Sequence, residues 1–126
     1  SYLARADHRC NAPRKDLTVP HADLKYSPDL SFDPQAMFEA IKQTILAYDS
    51  GSGDCKCRSY PAEAGNHTHL LIEISMLSKP HRDAGFTRAQ RDTIAAAVKK
   101  QLQQSCYISL AVIYADAMYL TDRHEI

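Results

Sequence analysis

The order strand, helix, strand occurs twice in this sequence, and no other feature narrows the choice of folds as much. "HADLKYS" alternates polar and apolar residues through Ala22, Leu24 and Tyr26, the period of a strand. Asp33 followed by Pro34 is a helix start, an aspartate cap before a proline at the first helical position. Beyond it Met37, Phe38, Ile41, Ile45 and Leu46 form one helical stripe, which ends at the glycines and serines of "YDSGSGD". "CKCRSY" reads as a second strand and "PAEAGN" as a turn.

The second unit repeats the pattern. "HTHLLIEISML" reads as a strand, and its unbroken run at Leu70, Leu71 and Ile72 predicts burial on both faces. After the loop "SKPHRDAGF", Thr87 with Gln90 three residues on predicts a capping box, and Ile94, Ala97, Val98 and Leu102 form the inward stripe of a second helix. "CYISLAVIYADAMYL" reads as the last strand. The four strands open near residues 20, 54, 68 and 107, so the units have internal spacings of 34 and 39 residues, which suggests a duplication. Each helix is long enough to join parallel strands. The expected fold is α+β in two layers: tandem β-α-β units giving a four-stranded sheet with both helices on one face. The other face, expected to carry Leu and Ile side chains, would need a partner, so oligomerisation follows.

At 126 residues the chain is sized for one domain. Its 15 basic and 15 acidic residues give no net charge, unlike the basic excess of a nucleic-acid binder. No apolar run approaches the roughly 18 residues of a membrane span. "SYLARADHRC" lacks the apolar centre of a signal peptide, and four cysteines are too few for a disulfide scaffold. A reducing, cytoplasmic setting is expected. Residues 1–19 have no sustained periodicity and read as an extension; residues 20–126 read as the folded domain.

The segments "PHADLKYS", "CKCRSY", "HLLIEISML" and "AGFTRAQRDTIAAAVKKQL", in this order around two helices, resemble the tautomerase superfamily, and within it the 5-carboxymethyl-2-hydroxymuconate isomerases. The resemblance covers residues 20 to about 120. It implies a trimer or hexamer, trimer being the expectation here. It also implies a cofactor-independent isomerase that moves a proton on a carboxylated 2-hydroxydienoate in aromatic catabolism. The base in that family is an amino-terminal proline, which here would be Pro20. Read alone, Pro20 is a proline that opens an edge strand. As an internal residue its nitrogen is an amide without basicity. Val19 can be encoded by GTG, which also starts translation in bacteria, and Arg14-Lys15-Asp16 can be encoded by a purine-rich run like a ribosome-binding sequence. The expectation is therefore that residues 1–19 are a translated leader and that the native chain begins Met-Pro20, with the methionine removed.

The same resemblance implies cations for the substrate's carboxylates. Lys56 and Arg58 alternate on the second strand and share a face. They stand where the family often has Arg-x-Arg, and a lysine there lacks the bidentate fork. Arg82, in the loop before the second helix, stands where the family has another arginine. Each could equally be a solvated surface charge. Cys55 and Cys57 with His67 and His69 offer four soft ligands, but Cys-x-Cys is not the usual zinc spacing, and neither a metal nor any cofactor is expected. His21 could line a pocket, and Cys106 reads as a small buried hydrophobe. Two other readings keep the fold: a tautomerase or dehalogenase with another substrate, or a non-catalytic oligomeric binding protein whose proline is blocked.

Overall fold

The computed structural model describes residues 19–126. Strand β1 (His21–Tyr26) leads to helix α1 (Pro34–Tyr48) and strand β2 (Lys56–Pro61). Strand β3 (His69–Leu77), helix α2 (Ala84–Lys100) and strand β4 (Tyr107–Ala115) follow. The strands form one sheet in the order β2-β1-β3-β4. Each strand-helix-strand unit makes a parallel pair, and the two units meet where β1 runs antiparallel to β3. The two-layer α+β fold expected from the sequence is the one found.

The two units agree in detail. The Lys56 N–H, at the start of β2, donates to the Pro20 carbonyl just before β1 at 2.9 Å. In the second unit the Tyr107 N–H, at the start of β4, donates to the Thr68 carbonyl just before β3, also at 2.9 Å. His21 pairs with Lys56 as His69 pairs with Tyr107. Thr68 thus occupies in the second unit the place of Pro20 in the first.

Local chemistry accounts for the helix ends. The Asp33 carboxylate accepts from the Gln35 and Ala36 N–H groups at 3.0 and 3.3 Å, ahead of Pro34 at the first turn. At α2 the cap is Asp83, which accepts from the Phe86 N–H at 2.9 Å, and not Thr87 as the capping-box spacing suggested. A carboxylate four residues earlier already satisfies the first turn. Thr87 is left to pair its hydroxyl with that of Tyr114, and Gln90 is drawn into the core.

Alternation sets the core. Ala22 and Leu24 of β1 and Leu70, Ile72, Ile74 and Met76 of β3 point to the helix layer. They bury against Met37, Ile41 and Ile45 of α1 and Ile94 and Val98 of α2. None of these is more than 3% exposed, so truncating any of the Leu, Ile or Met side chains among them to Ala should cost about 2–5 kcal/mol.

Two expectations need correction. Leu71 stands on the face away from the helices and is only half-buried, so β3 is buried on one side alone. That bare face is mixed rather than an apolar sheet of Leu and Ile. Leu71, Leu77 and Ile113 lie among rows that carry Asp23, Lys25, Arg58 and Glu73, with Lys25 and Glu73 paired at 3.6 Å. The last strand also stops at Ala115, short of Leu120. Asp116 ends it by taking the Met118 N–H on its side chain at 2.9 Å, an aspartate turn. No helix among the described residues is long and apolar enough to cross a membrane.

Candidate active site

Pro20 is less than 2% exposed and leads β1 at the end of the sheet where β3 finishes. Val19, the residue attached to its nitrogen, is itself only 8% exposed. Its Cγ1 comes so near Gly53 that a Cβ there would stand 2.7 Å away, and Gly53 holds a φ of 82°, open to glycine at little strain. Val19 also walls a cavity of about 20 Å3 with Ser75, Met76, Leu77, Ala115 and Tyr119. Val19 was expected to belong to an extension with little part in the core. It is instead packed into this corner.

Lys56 lies opposite His21 and Arg58 opposite Asp23, so strand pairing gathers these four side chains on the bare face beside Pro20. Lys56 is exposed and has no ion pair among the described residues. Arg58 is held by Asp23, Nε at 2.9 Å and Nη2 at 2.8 Å from the same carboxylate oxygen, and its Nη2 stands 3.3 Å from His21 Nδ1. Burial works against the charge of Arg58, but Asp23 and Tyr60 outweigh it and raise its pKa. Burial lowers the pKa of His21, and the nearby Arg58 and Lys56 charges lower it further against the opposing Asp23, which favours the neutral imidazole. The sequence singled out Lys56 and Arg58 by their spacing. It did not show Asp23, whose role depends on the register of β1 against β2.

Arg82 is placed differently. Its side chain is only 2% exposed, with Nε and Nη2 each 3.0 Å from Asp49 Oδ2 and Nη1 donating to the Leu77 carbonyl at 2.7 Å. Asp49 closes α1, its N–H donating to the Ile45 carbonyl at 2.8 Å, and also meets His81 Nε2 at 3.2 Å. Burial would raise the pKa of Asp49, but the hydrogen bonds from His81 and Arg82 hold it below the ordinary carboxylate value. Arg82, expected to hold a substrate carboxylate, here ties the end of α1 to the end of β3. Asp49 lay inside a breaker segment, and only the fold joins it to Arg82.

Among the described residues two larger hollows lie elsewhere. One of about 590 Å3 runs along the helix side of β4, lined by Thr87, Arg88, Arg91, Leu110 and Tyr114 with Arg82 at its margin. The other, about 230 Å3, lies by Thr68 and is lined by Lys25, Tyr26, Ser27, His67 and His69. The four ligands of the metal reading do not converge, because β1 lies between β2 and β3 and His69 is bonded instead to Ser109 Oγ at 2.8 Å. Among the described residues no group of three or more His, Cys, Asp or Glu side chains is arranged to hold a metal ion.

The fold recurs in solved structures. A 5-carboxymethyl-2-hydroxymuconate delta-isomerase superposes with a TM-score of 0.64 at 18% identity, over 87% of this chain and 90% of that one. A 5-carboxymethyl-2-hydroxymuconate isomerase from Deinococcus radiodurans R1 gives 0.69 at 13% identity, over 86% and 92%. This chain shares their fold. A fused 4-OT symmetric trimer gives 0.61 at 12% identity, over 79% of this chain and 91% of that one. No family model matches the chain, and no curated protein matches it by sequence. The likeness lies in the order and path of the elements rather than in shared residues, and it is the fold that the sequence resemblance implied.

Proposed function

We propose that this protein, once its chain begins at Pro20, is a cofactor-independent isomerase that moves a proton on a small, carboxylated 2-hydroxydienoate or its keto form. The observation that carries this reading is the position of Pro20: fully buried, at the head of the first strand, in the fold of the isomerases above. An amino-terminal proline there would be a secondary amine whose charged form burial disfavours, so it would be a neutral base near pH 7. It would take a proton from a carbon next to the carbonyl and return it further along the conjugated chain.

Arg58 and Lys56 are the cations proposed for the carboxylates, and their charge would favour the dienolate formed in between. Arg58 arrives oriented by Asp23. Lys56 lies next in line and supplies a point charge rather than a fork. Arg82 serves by holding β3 at Leu77, the wall of the corner in which Pro20 sits. Residues 1–19 are a leader in this reading, and the working assembly is a trimer, as the fused 4-OT structure is.

The test is a steady-state assay of two proteins, the full chain and one starting Met-Pro20, against 2-hydroxymuconate-type substrates. Activity confined to the Pro20-initiated protein supports the reading; equal activity in both removes Pro20 as the base. A chain that keeps residues 1–19 in the cell would instead be a blocked, non-catalytic binding protein, a reading that the packing of Val19 favours.

A further inference from the structure

Cys55 and Cys57 take no part in the proposed proton transfer, yet their sulfurs stand 3.9 Å apart at the start of edge strand β2. Neither is in a disulfide. Alternation along the strand turns Cys57 to the helix layer, opposite the small Ala22, and Cys55 is buried beside it at 4% exposure. Cys57 is only half-buried, so a small reagent reaches it first. The charged groups around the pair come from three elements: Lys42 and Glu39 on α1, Asp54 before the strand, and Arg58 on it. Lys42 bridges toward Asp54 at 3.9 Å and Glu39 at 3.6 Å.

We propose that Cys55 and Cys57 form an oxidisable dithiol, in which Cys57 attacks a hydroperoxide and Cys55 resolves the product as an intrachain disulfide. In the first step the Cys57 thiolate attacks the hydroperoxide oxygen, the O–O bond breaks, and the leaving alkoxide or hydroxide takes a proton from water. Cys57 is then a sulfenic acid. In the second step the Cys55 sulfur attacks the Cys57 sulfur, the S–S bond forms, the S–O bond breaks, and water leaves with the Cys55 proton. Two electrons pass from the dithiol to the peroxide.

The division of roles follows from the surroundings. The contact between the two sulfurs favours the Cys57 thiolate against its burial, with Lys42 and Arg58 adding to it, while the same contact and burial push the Cys55 thiol up; exposure agrees, since Cys57 is half-buried and Cys55 is buried. Closing the bond needs the sulfurs to approach from 3.9 Å to about 2 Å, a movement that an edge strand with one free side can make.

Trypsin makes the test direct, because Lys56 separates the two cysteines. The full chain is treated with a small excess of hydrogen peroxide, alkylated, digested and analysed by mass spectrometry. The expected result is that fragments 43–56 and 57–58 travel as one species, two hydrogens lighter, and part on addition of dithiothreitol, while Cys106 is fully alkylated. In Cys55→Ser a sulfenic acid trapped by dimedone should accumulate at Cys57, and in Cys57→Ser Cys55 should stay unoxidised. Fragments that separate without reductant, a disulfide to Cys10 or Cys106, or dimedone on Cys55 would each overturn the proposal.

Discussion

Replacing Arg82 by Met tests whether this arginine ties the fold together or binds substrate. The substitution keeps most of the side-chain volume and removes three polar contacts: two to Asp49 and one to the Leu77 carbonyl. Asp49 is 9% exposed and would keep its charge with only His81 beside it. Breaking a buried pair from one side costs about 3–5 kcal/mol, because the remaining ion is left without compensation. At about 4–8 °C per kcal/mol for a domain near this size, the melting temperature should fall by roughly 12–40 °C. The assay is thermal and urea unfolding of Arg82→Met, Asp49→Asn and the double variant. The double variant should lose clearly less than the sum of the singles, since neither charge is then stranded. A single variant within about 0.5 kcal/mol of the parent, but with a raised KM in the Pro20-initiated enzyme, would refute the structural role and restore the arginine as a substrate cation.

Starting the chain at Pro20 should raise isomerase activity by the general-base factor, about 10²–10⁴, measured as the ratio of kcat/KM to that of the full chain. The rate should fall toward acid pH with an apparent pKa below the roughly 7.7–8.0 of an ordinary α-amino group, read from the pH profile. Arg58→Ala in that protein should cost about 1.5–3 kcal/mol in kcat/KM toward a multiply charged substrate and much less toward a monocarboxylate. The depressed pKa of Asp49 contributes stability that is present above the unfolded carboxylate pKa near 4 and is lost as pH falls through the lower folded value. Urea unfolding at successive pH values should accordingly show a smaller loss on acidification in Asp49→Asn than in the parent. Light scattering should give the mass of a trimer; a stable monomer at micromolar concentration would remove the assembly reading.

The sequence carried the path of the chain because its local signals agree. Asp33 before Pro34 caps where the spacing said, and the stripe of Met37, Ile41 and Ile45 is the buried face of α1. Where two signals competed, spacing alone chose wrongly: Thr87 and Gln90 match a capping box, but Asp83 captures the helix start. The site was legible only in part. Lys56 and Arg58 share a face because a strand alternates, a property of neighbours in sequence. The ties of Arg58 to Asp23 and of Arg82 to Asp49 span 35 and 33 residues. They depend on strand register and helix placement, which no local pattern encodes. A cation's sign can be read from the sequence, but its partner, and so its availability, cannot.

The matched hydrogen bonds from Lys56 to Pro20 and from Tyr107 to Thr68 make each chain a two-fold object with two equivalent corners and unequal chemistry. Only a chain end can supply a basic backbone nitrogen, and one polypeptide has one such end. The Thr68 nitrogen, with chain on both sides, is an amide in every form of the protein, and its hydroxyl is turned to Asp29. The second corner, with its 230 Å3 hollow and its His67–His69 stack, is therefore independent of the chemistry proposed for the first.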